Sequence, residues 1–342
     1  MHQKPRPKHP STQAPKQGDN GSSLPTPIPM TPAAKAQWQI HLCVLLWGFT
    51  AIFGKLITLP ALPLVWWRML LVTATLALLP RVWRGLRAMS PRLLLAYAGI
   101  GALVALHWLT FYGAIKLSNA SVGATCIALG TPMTALLEPW LAGRRFSWRD
   151  VLLGIAVLPG VALVVGGVPD GMHLGIAVGA LSALLVAIFG SLNKRFVERG
   201  EPLAITALEL GAGTLLLTAL APLMPLLFPA FSGTLFALPD AHDLGLLLAL
   251  ALACTLFPFA LSLVALRHMS AFAAQLAVNL EPVYAIMLAI VLLGEQHELS
   301  TQFYVGVAII LGAVLVYPLF GPRRRIAHPE VLATAESKGI VE

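Results

Sequence analysis

Apolar residues fall into ten long runs along the chain, at 38-58, 63-80, 93-114, 118-141, 149-167, 173-192, 203-228, 243-264, 270-293 and 303-320, with short polar connections between them. At 1.5 Å of rise per residue, a helical run of about 20 residues crosses the roughly 30 Å hydrocarbon core of a bilayer. The pattern therefore predicts an all-α, polytopic membrane protein with ten transmembrane helices. Connections of about eight residues leave no room for a soluble catalytic domain. The seventh run carries its own stop signal: Pro222, Pro225 and Pro229 lack the N–H that a helix needs and are expected to end it early. Residues 1-35 contain eight prolines and five basic residues and too few bulky apolar side chains to offset ordering entropy, so a disordered tail is expected there, and no cleavable signal. Residues 321-342 form a second polar tail, opening on Arg323, Arg324 and Arg325.

Composition supports the same class. Hydrophobic residues make up 57% of the 342 and charged residues 11%, with a mean hydropathy of +0.79, which no water-exposed surface can accommodate. The net charge of +8 is explained by topology rather than by a nucleic-acid partner. With the amino terminus in the cytoplasm, 20 of the 23 lysines and arginines fall on the cytoplasmic side, leaving Lys55, Arg68 and Lys116 elsewhere, while Asp170, Asp240, Asp243, Glu295 and Glu298 fall in the outer loops. The positive-inside rule then puts both termini in the cytoplasm. Cys43, Cys126 and Cys254 each sit inside an apolar run without metal or redox spacing and read as reduced packing residues. No metal, no cofactor and no phosphate-binding loop is expected, so any concentrative work would draw on an ion gradient or on the substrate's own.

The chain also repeats itself. Gly154-Ile-Ala-Val-Leu-Pro-Gly-Val-Ala-Leu-Val164 aligns with Gly306-Val-Ala-Ile-Ile-Leu-Gly-Ala-Val-Leu-Val316, Ala51-Ile-Phe-Gly54 recurs as Ala187-Ile-Phe-Gly190, and Thr131-Pro132 corresponds to Glu281-Pro282. The expected units are 38-167 and 173-320, each of five helices. Five is odd, so the copies enter the membrane from opposite sides, and the charges agree: Arg144, Arg145 and Arg149 follow span 4, whereas Glu295 and Glu298 follow span 9. Two inverted five-helix repeats give a mechanical basis for two similar states, each open to one side of a site near the midplane.

Trp47-Gly48 before Lys55, Pro63-x4-Arg68, Ala114-Ile-Lys-Leu-Ser118, Thr131-Pro132, and Asn279-Leu-Glu-Pro-Val283 followed by Gly294-Glu295 together resemble the EamA branch of the drug/metabolite transporter superfamily, over about residues 38 to 320. The resemblance implies a carrier of amino acids, other metabolites or drugs. Gly143-Arg144-Arg145 departs from it, because the family pattern often has Gly-Glu at that place.

Candidate chemistry centres on Glu281. It lies near the middle of span 9, immediately before a proline, where a carboxylate must be paired, hydrogen-bonded or protonated. Pro282 frees a carbonyl one turn earlier, near Val278, and Asn279 and Gln275 add amides beside it. Pro132, with Thr131, is its counterpart in the first copy. In span 3, His107, Trp108 and Tyr112 form an aromatic and imidazole group, with Trp108 and Tyr112 one turn apart on one face. These seven residues (His107, Trp108, Tyr112, Thr131, Gln275, Asn279 and Glu281) are the expected substrate-binding set. Glu281, Glu209 and His107 are the coupling candidates, and Pro132 and Pro282 the helix breaks. The alternatives for each are packing or a hydrogen bond across a helix contact. Glu138 reads as interfacial or paired with Arg144 or Arg145. Arg68 reads as a snorkelling anchor, while Lys55 and Lys116 either anchor helices or draw anions. The expected function is a bacterial inner-membrane exporter of a small metabolite, working in the bilayer by alternating access with protons as the coupling ion. A channel or structural membrane protein is the alternative. An intramembrane enzyme would need converging acid/base or metal-binding groups such as H-E-x-x-H, which the sequence lacks.

Overall fold

The computed structural model describes residues 30-316; most of the amino-terminal tail (1-29), the carboxy-terminal tail (321-342) and the end of the tenth run (317-320) lie outside the described residues. From Pro32 onward the described chain is a single helical unit with no strand among the described residues. Its α-helices are α1 (Pro32–Leu56), α2 (Ala61–Ala77), α3 (Pro80–Arg87), α4 (Pro91–Leu117), α5 (Ala120–Cys126), α6 (Gly130–Leu141), α7 (Trp148–Gly166), α8 (His173–Phe196), α9 (Pro202–Leu220), α10 (Met224–Leu227), α11 (Ala241–Ala251), α12 (Phe257–Leu266), α13 (Ala271–Val278), α14 (Glu281–Leu293) and α15 (Thr301–Val316). Counting α5–α6, α11–α12 and α13–α14 as single crossings, seven helical segments are long and apolar enough to span a bilayer, or eight if α2 and the α3 that bends from it by 91° are taken together.

Helix starts follow local chemistry. Asn119, Ser270 and Asp240 each accept a hydrogen bond from the backbone N–H three residues on, at 2.9, 3.0 and 2.7 Å, opening α5, α13 and α11. Prolines stand at the first position of α3, α4 and α9, where no N–H is required. Gly143 and Gly294 lie just past the ends of α6 and α14 with φ of 70° and 71°, so both repeats close the same helix with the same left-handed residue.

Several boundaries depart from the apolar runs. The first helix begins at Pro32, so the last residues of the segment expected to be a disordered tail are helical. The seventh run stops at Leu220 rather than 228, because Pro222 and Pro225 deny continuation, and a short α10 and a 3-10 turn follow. The basic stretch after the second run, expected as a loop, is the amphipathic α3, with Val82 buried and Arg81 ion-paired to Glu201 at 2.9 Å. Between α11 and α12, residues Leu252–Leu256 form a π-turn, an extra residue in the helix that no periodicity announces.

The two halves interlock. The helix α4 packs on α8 and α9, α2 on α9, and α1 on α12 and α14. Against α6 lies α13, and against α5 lies α14, so the first half of one broken helix meets the second half of the other and the pair crosses antiparallel. The helices α7 and α15 also run antiparallel: Gly167 meets Phe303, Val164 meets Gly306, and Gly160 meets Ile310. A Cβ on Gly160 would sit 2.6 Å from the carbonyl oxygen of Gly306, and one on Gly306 would sit 2.5 Å from that of Gly160. Backbones this close admit no side chain. Gly306→Leu is accordingly expected to lower the melting temperature of the purified protein, at the upper end of the ~1–3 kcal/mol that overpacking costs. A thermal scan in detergent, with the same substitution at the unobstructed Gly312 as control, checks this.

Candidate functional site

Both central helices break just before a proline. A proline at position 132 cannot donate to the carbonyl of Ala128, and one at 282 cannot donate to that of Val278. The chain answers with a 3-10 turn at Ile127–Leu129 and a turn at Asn279-Leu280. The breaks touch each other: Thr131 Oγ1 donates to Asn279 Oδ1 at 3.0 Å, and Gln275 Nε2 donates to the Ile127 carbonyl at 3.4 Å. The polar groups that prolines release in apolar surroundings are therefore met partly by the other repeat.

Beside this crossing lies a cavity with about 120 Å³ open to the centres of water-sized molecules. One water needs roughly 10–15 Å³ on that measure, so there is room for several waters or part of a small solute. Glu281, Gln275, His107 and Trp108 of the expected set line it. Tyr112, Thr131 and Asn279 do not: each is fully buried behind the wall, with Thr131 and Asn279 bonded to one another and the Asn279 amide nitrogen left without an acceptor. His107 is tied to α8, its Nδ1 lying 2.9 Å from the Ser182 carbonyl and 2.8 Å from Ser182 Oγ. The rest of the wall is aromatic and apolar, with Trp47, Phe111, Phe189 and Phe259, and includes Thr50, Asn193 and Ser262.

Arg68 also lines the cavity and is 2% exposed, so it does not snorkel. Its Nε donates to Thr255 Oγ1 at 2.6 Å, a terminal nitrogen donates to Tyr112 Oη at 2.8 Å, and the guanidinium carbon lies 3.8 Å from the centroid of Trp108. The i, i+4 pair Trp108 and Tyr112 thus does share a face, and that face holds Arg68. Glu209 stands one layer behind, fully buried; Asn193 Nδ2 donates to its Oε2 at 3.3 Å, and Oε1 has no donor. Lys116 and Arg267 sit at equivalent places in the repeats and do equivalent work. Lys116 donates to the Ile57 carbonyl past the end of α1, and Arg267 donates to the carbonyls of Val197 and Gly200 past the end of α8. Lys55 is exposed. Away from the cavity, Asp240, His242 and Asp243 cluster, but the buried Asp243 gives both oxygens to Thr58, at 2.7 to 3.2 Å.

A second feature joins the repeats at each end of the crossing. Glu295, after α14, accepts from the backbone N–H groups of Ala120 and Ser121 at 3.0 Å each and from Ser121 Oγ at 2.6 Å. Glu138, near the end of α6, accepts from the N–H groups of Ala271 and Phe272 at 2.8 and 2.9 Å, with Arg144 3.4 Å away. Each carboxylate is 1% exposed and satisfies the open start of a helix in the other repeat, where the dipole favours an anion. Glu295 comes from the Gly-Glu position; in the first copy that position is Arg144, and Glu138 reaches the same kind of site from one and a half turns earlier.

Two tandem sets of membrane-length helices, crossing through broken members beside a charged and aromatic cavity, define a polytopic membrane protein of the repeat-built transporter class. A family model described as the EamA-like transporter family matches this chain twice, over residues 35–166 and 173–317. The chain belongs to that family and is a membrane transporter of the drug/metabolite superfamily. Among solved structures, one described only as a crystal structure of a protein is similar at 17% identity, covering 85% of this chain and 99% of that one with a TM-score of 0.61, which speaks to the fold alone. Comparison with curated protein sequences gives no match.

Proposed function

We propose that this chain is a small-metabolite exporter of the bacterial inner membrane in which two inverted five-helix halves alternate access to the cavity beside Glu281. Reading α2, α7 and α15 as crossings alongside the seven segments already counted gives ten spans; the 17 residues of α2 reach about 25 Å, and α3 then turns along the interface. An even number of spans and the distribution of basic residues favour cytoplasmic termini. The observation that carries the reading is the antiparallel crossing of α5–α6 with α13–α14 at their breaks, beside a cavity lined by a carboxylate from one break. Broken helices supply unpaired backbone only where protein or a ligand can meet it, and a crossing of this symmetry has two equivalent ways to open.

Protons are the proposed coupling ion, with Glu281 as the carrier in the cavity, and His107 and Glu209 as further exchangeable groups close to it. The substrate is proposed to contact Trp108, His107, Gln275 and Glu281, with Tyr112, Thr131 and Asn279 supporting that wall from behind. A screen of metabolites by thermal shift identifies a solute that stabilises the folded protein. Proteoliposomes preloaded with that solute are then expected to take up labelled solute by counterflow, transiently against its gradient, and saturably. Linear, non-saturable flux without counterflow would instead identify a pore and overturn the carrier reading.

A further inference from the structure

Arg68 is the one lysine or arginine in the fully buried class among the described residues. A guanidinium has five N–H donors. Here two are used, one on Thr255 and one on Tyr112, and both acceptors are neutral hydroxyls. Three donors are left without a protein acceptor on a residue that lines the cavity. No carboxylate among the described residues forms an ion pair with it, and Glu281, on the same cavity, is not in contact. Burying a cation without a contacting counter-charge is costly, and at 2% exposure this one has only the cavity from which to draw further partners.

The surroundings hold the guanidinium in one pose. Trp108 covers one face, Tyr112 one terminal nitrogen, and Thr255 the Nε. Thr255 lies in the π-turn and its hydroxyl hydrogen is directed to the Leu250 carbonyl at 2.6 Å, which leaves its oxygen free to accept from Arg68. Three separate elements, α2, α4 and the π-turn, thus converge to orient a planar donor group whose remaining edge has no partner. Planar, preoriented N–H donors match a carboxylate.

We propose that Arg68 is an anion-binding residue that sets the charge selectivity of the cavity, receiving the carboxylate of a ligand whose apolar body rests against Trp108, Phe111 and Phe259. The inference rests on the cavity being the solute site, but its test does not depend on transport. A monoanion is the class that fits: with Glu281 carrying its proton, one carboxylate balances the single positive charge of Arg68, whereas a dianion would leave a net negative charge beside Glu281.

The test uses the purified full-length protein and three probes of one shape: 3-phenylpropanoate, 3-phenylpropan-1-ol and 3-phenylpropylamine. Binding is measured by titration calorimetry and melting temperature. The carboxylate is expected to bind at least about tenfold tighter than the alcohol, since charge-assisted bonds are roughly twice as strong as neutral ones. Arg68→Gln is expected to erase that preference. Arg68→Lys, which keeps the charge and loses the fork, is expected to retain part of it. The assignment is overturned if the alcohol or the amine binds the unaltered protein as tightly as the carboxylate, if none of the three binds, or if folded Arg68→Gln protein keeps the preference. The first two outcomes need no variant, so misfolding of Arg68→Gln protects nothing. Counterflow of solutes without any carboxylate preference would leave the carrier standing and remove this role of Arg68. Carboxylate-selective binding without counterflow of any solute would do the reverse.

Discussion

Glu281→Gln protein in liposomes is expected to lose pH-driven accumulation of a transported solute down to the level of empty vesicles, with its melting temperature in detergent close to that of the unaltered protein. Glutamine keeps the shape and hydrogen-bonding capacity of the side chain but cannot take up and release a proton. Glu281 opens α14, where the helix dipole favours an anion, and shares the cavity with Arg68, yet it is 6% exposed, where desolvation opposes one. Opposed influences of that kind suit a group that gains and loses a proton in turn. The side chain accepts no hydrogen bond from the described residues, so an amide there orphans no buried donor, and little stability should be lost. The measurement is uptake driven by an imposed pH gradient, compared with Glu281→Asp, which keeps the proton site one methylene shorter and should keep part of the accumulation. Full accumulation by Glu281→Gln would rule out Glu281 as the proton carrier.

The largest stability effect is expected at Glu295. Truncation to alanine removes the acceptor for two backbone N–H groups and one hydroxyl, all buried, at the start of α5. Each stranded donor costs about 1–3 kcal/mol, and the favourable interaction of the charge with the helix start goes with it. A loss of about 3 kcal/mol or more is expected, read as a fall in melting temperature or in the denaturant midpoint of the detergent-solubilised protein. Glu298→Ala is the matched control. It removes one exposed carboxylate that accepts from a single donor, Asn119 Nδ2 at 3.0 Å, and should cost no more than the about 1–3 kcal/mol of one stranded group, against three at Glu295. Equal melting of the two variants would mean that the Glu295 contacts do not support the fold.

Much of this architecture is legible in the sequence because it depends on periodicity and on proline. Apolar runs mark where the chain is helical, and Pro132 and Pro282 mark the breaks, since a missing N–H acts within one turn of where it occurs. Repeated words locate the two halves. What is not legible depends on partners far along the chain. Arg68 is two turns from the start of α2, close enough in sequence to read as an anchor, and only Thr255, 187 positions later, and Tyr112 make it a wall of the cavity. Tyr112 and Trp108 share a face, but the sequence does not reveal that an arginine fills the space between that face and the π-turn. Asn193 lies one residue beyond the apolar run that ends at 192, and its place in the cavity wall follows from how far α8 continues, to Phe196. Glu138 likewise has its nearest charged neighbour, Arg144, in plain view, while its strongest contacts are amides 133 and 134 positions away.

Those amides belong to a different repeat from the carboxylate that serves them, and the same is true at Glu295. Each half of the molecule is therefore one acid short of closing its own hydrogen-bond ledger and holds the acid its sibling lacks. Neither half satisfies the start of its own broken helix, although the family model matches each of them. One half produced without the other would leave the buried N–H groups at the start of its own broken helix with no acceptor.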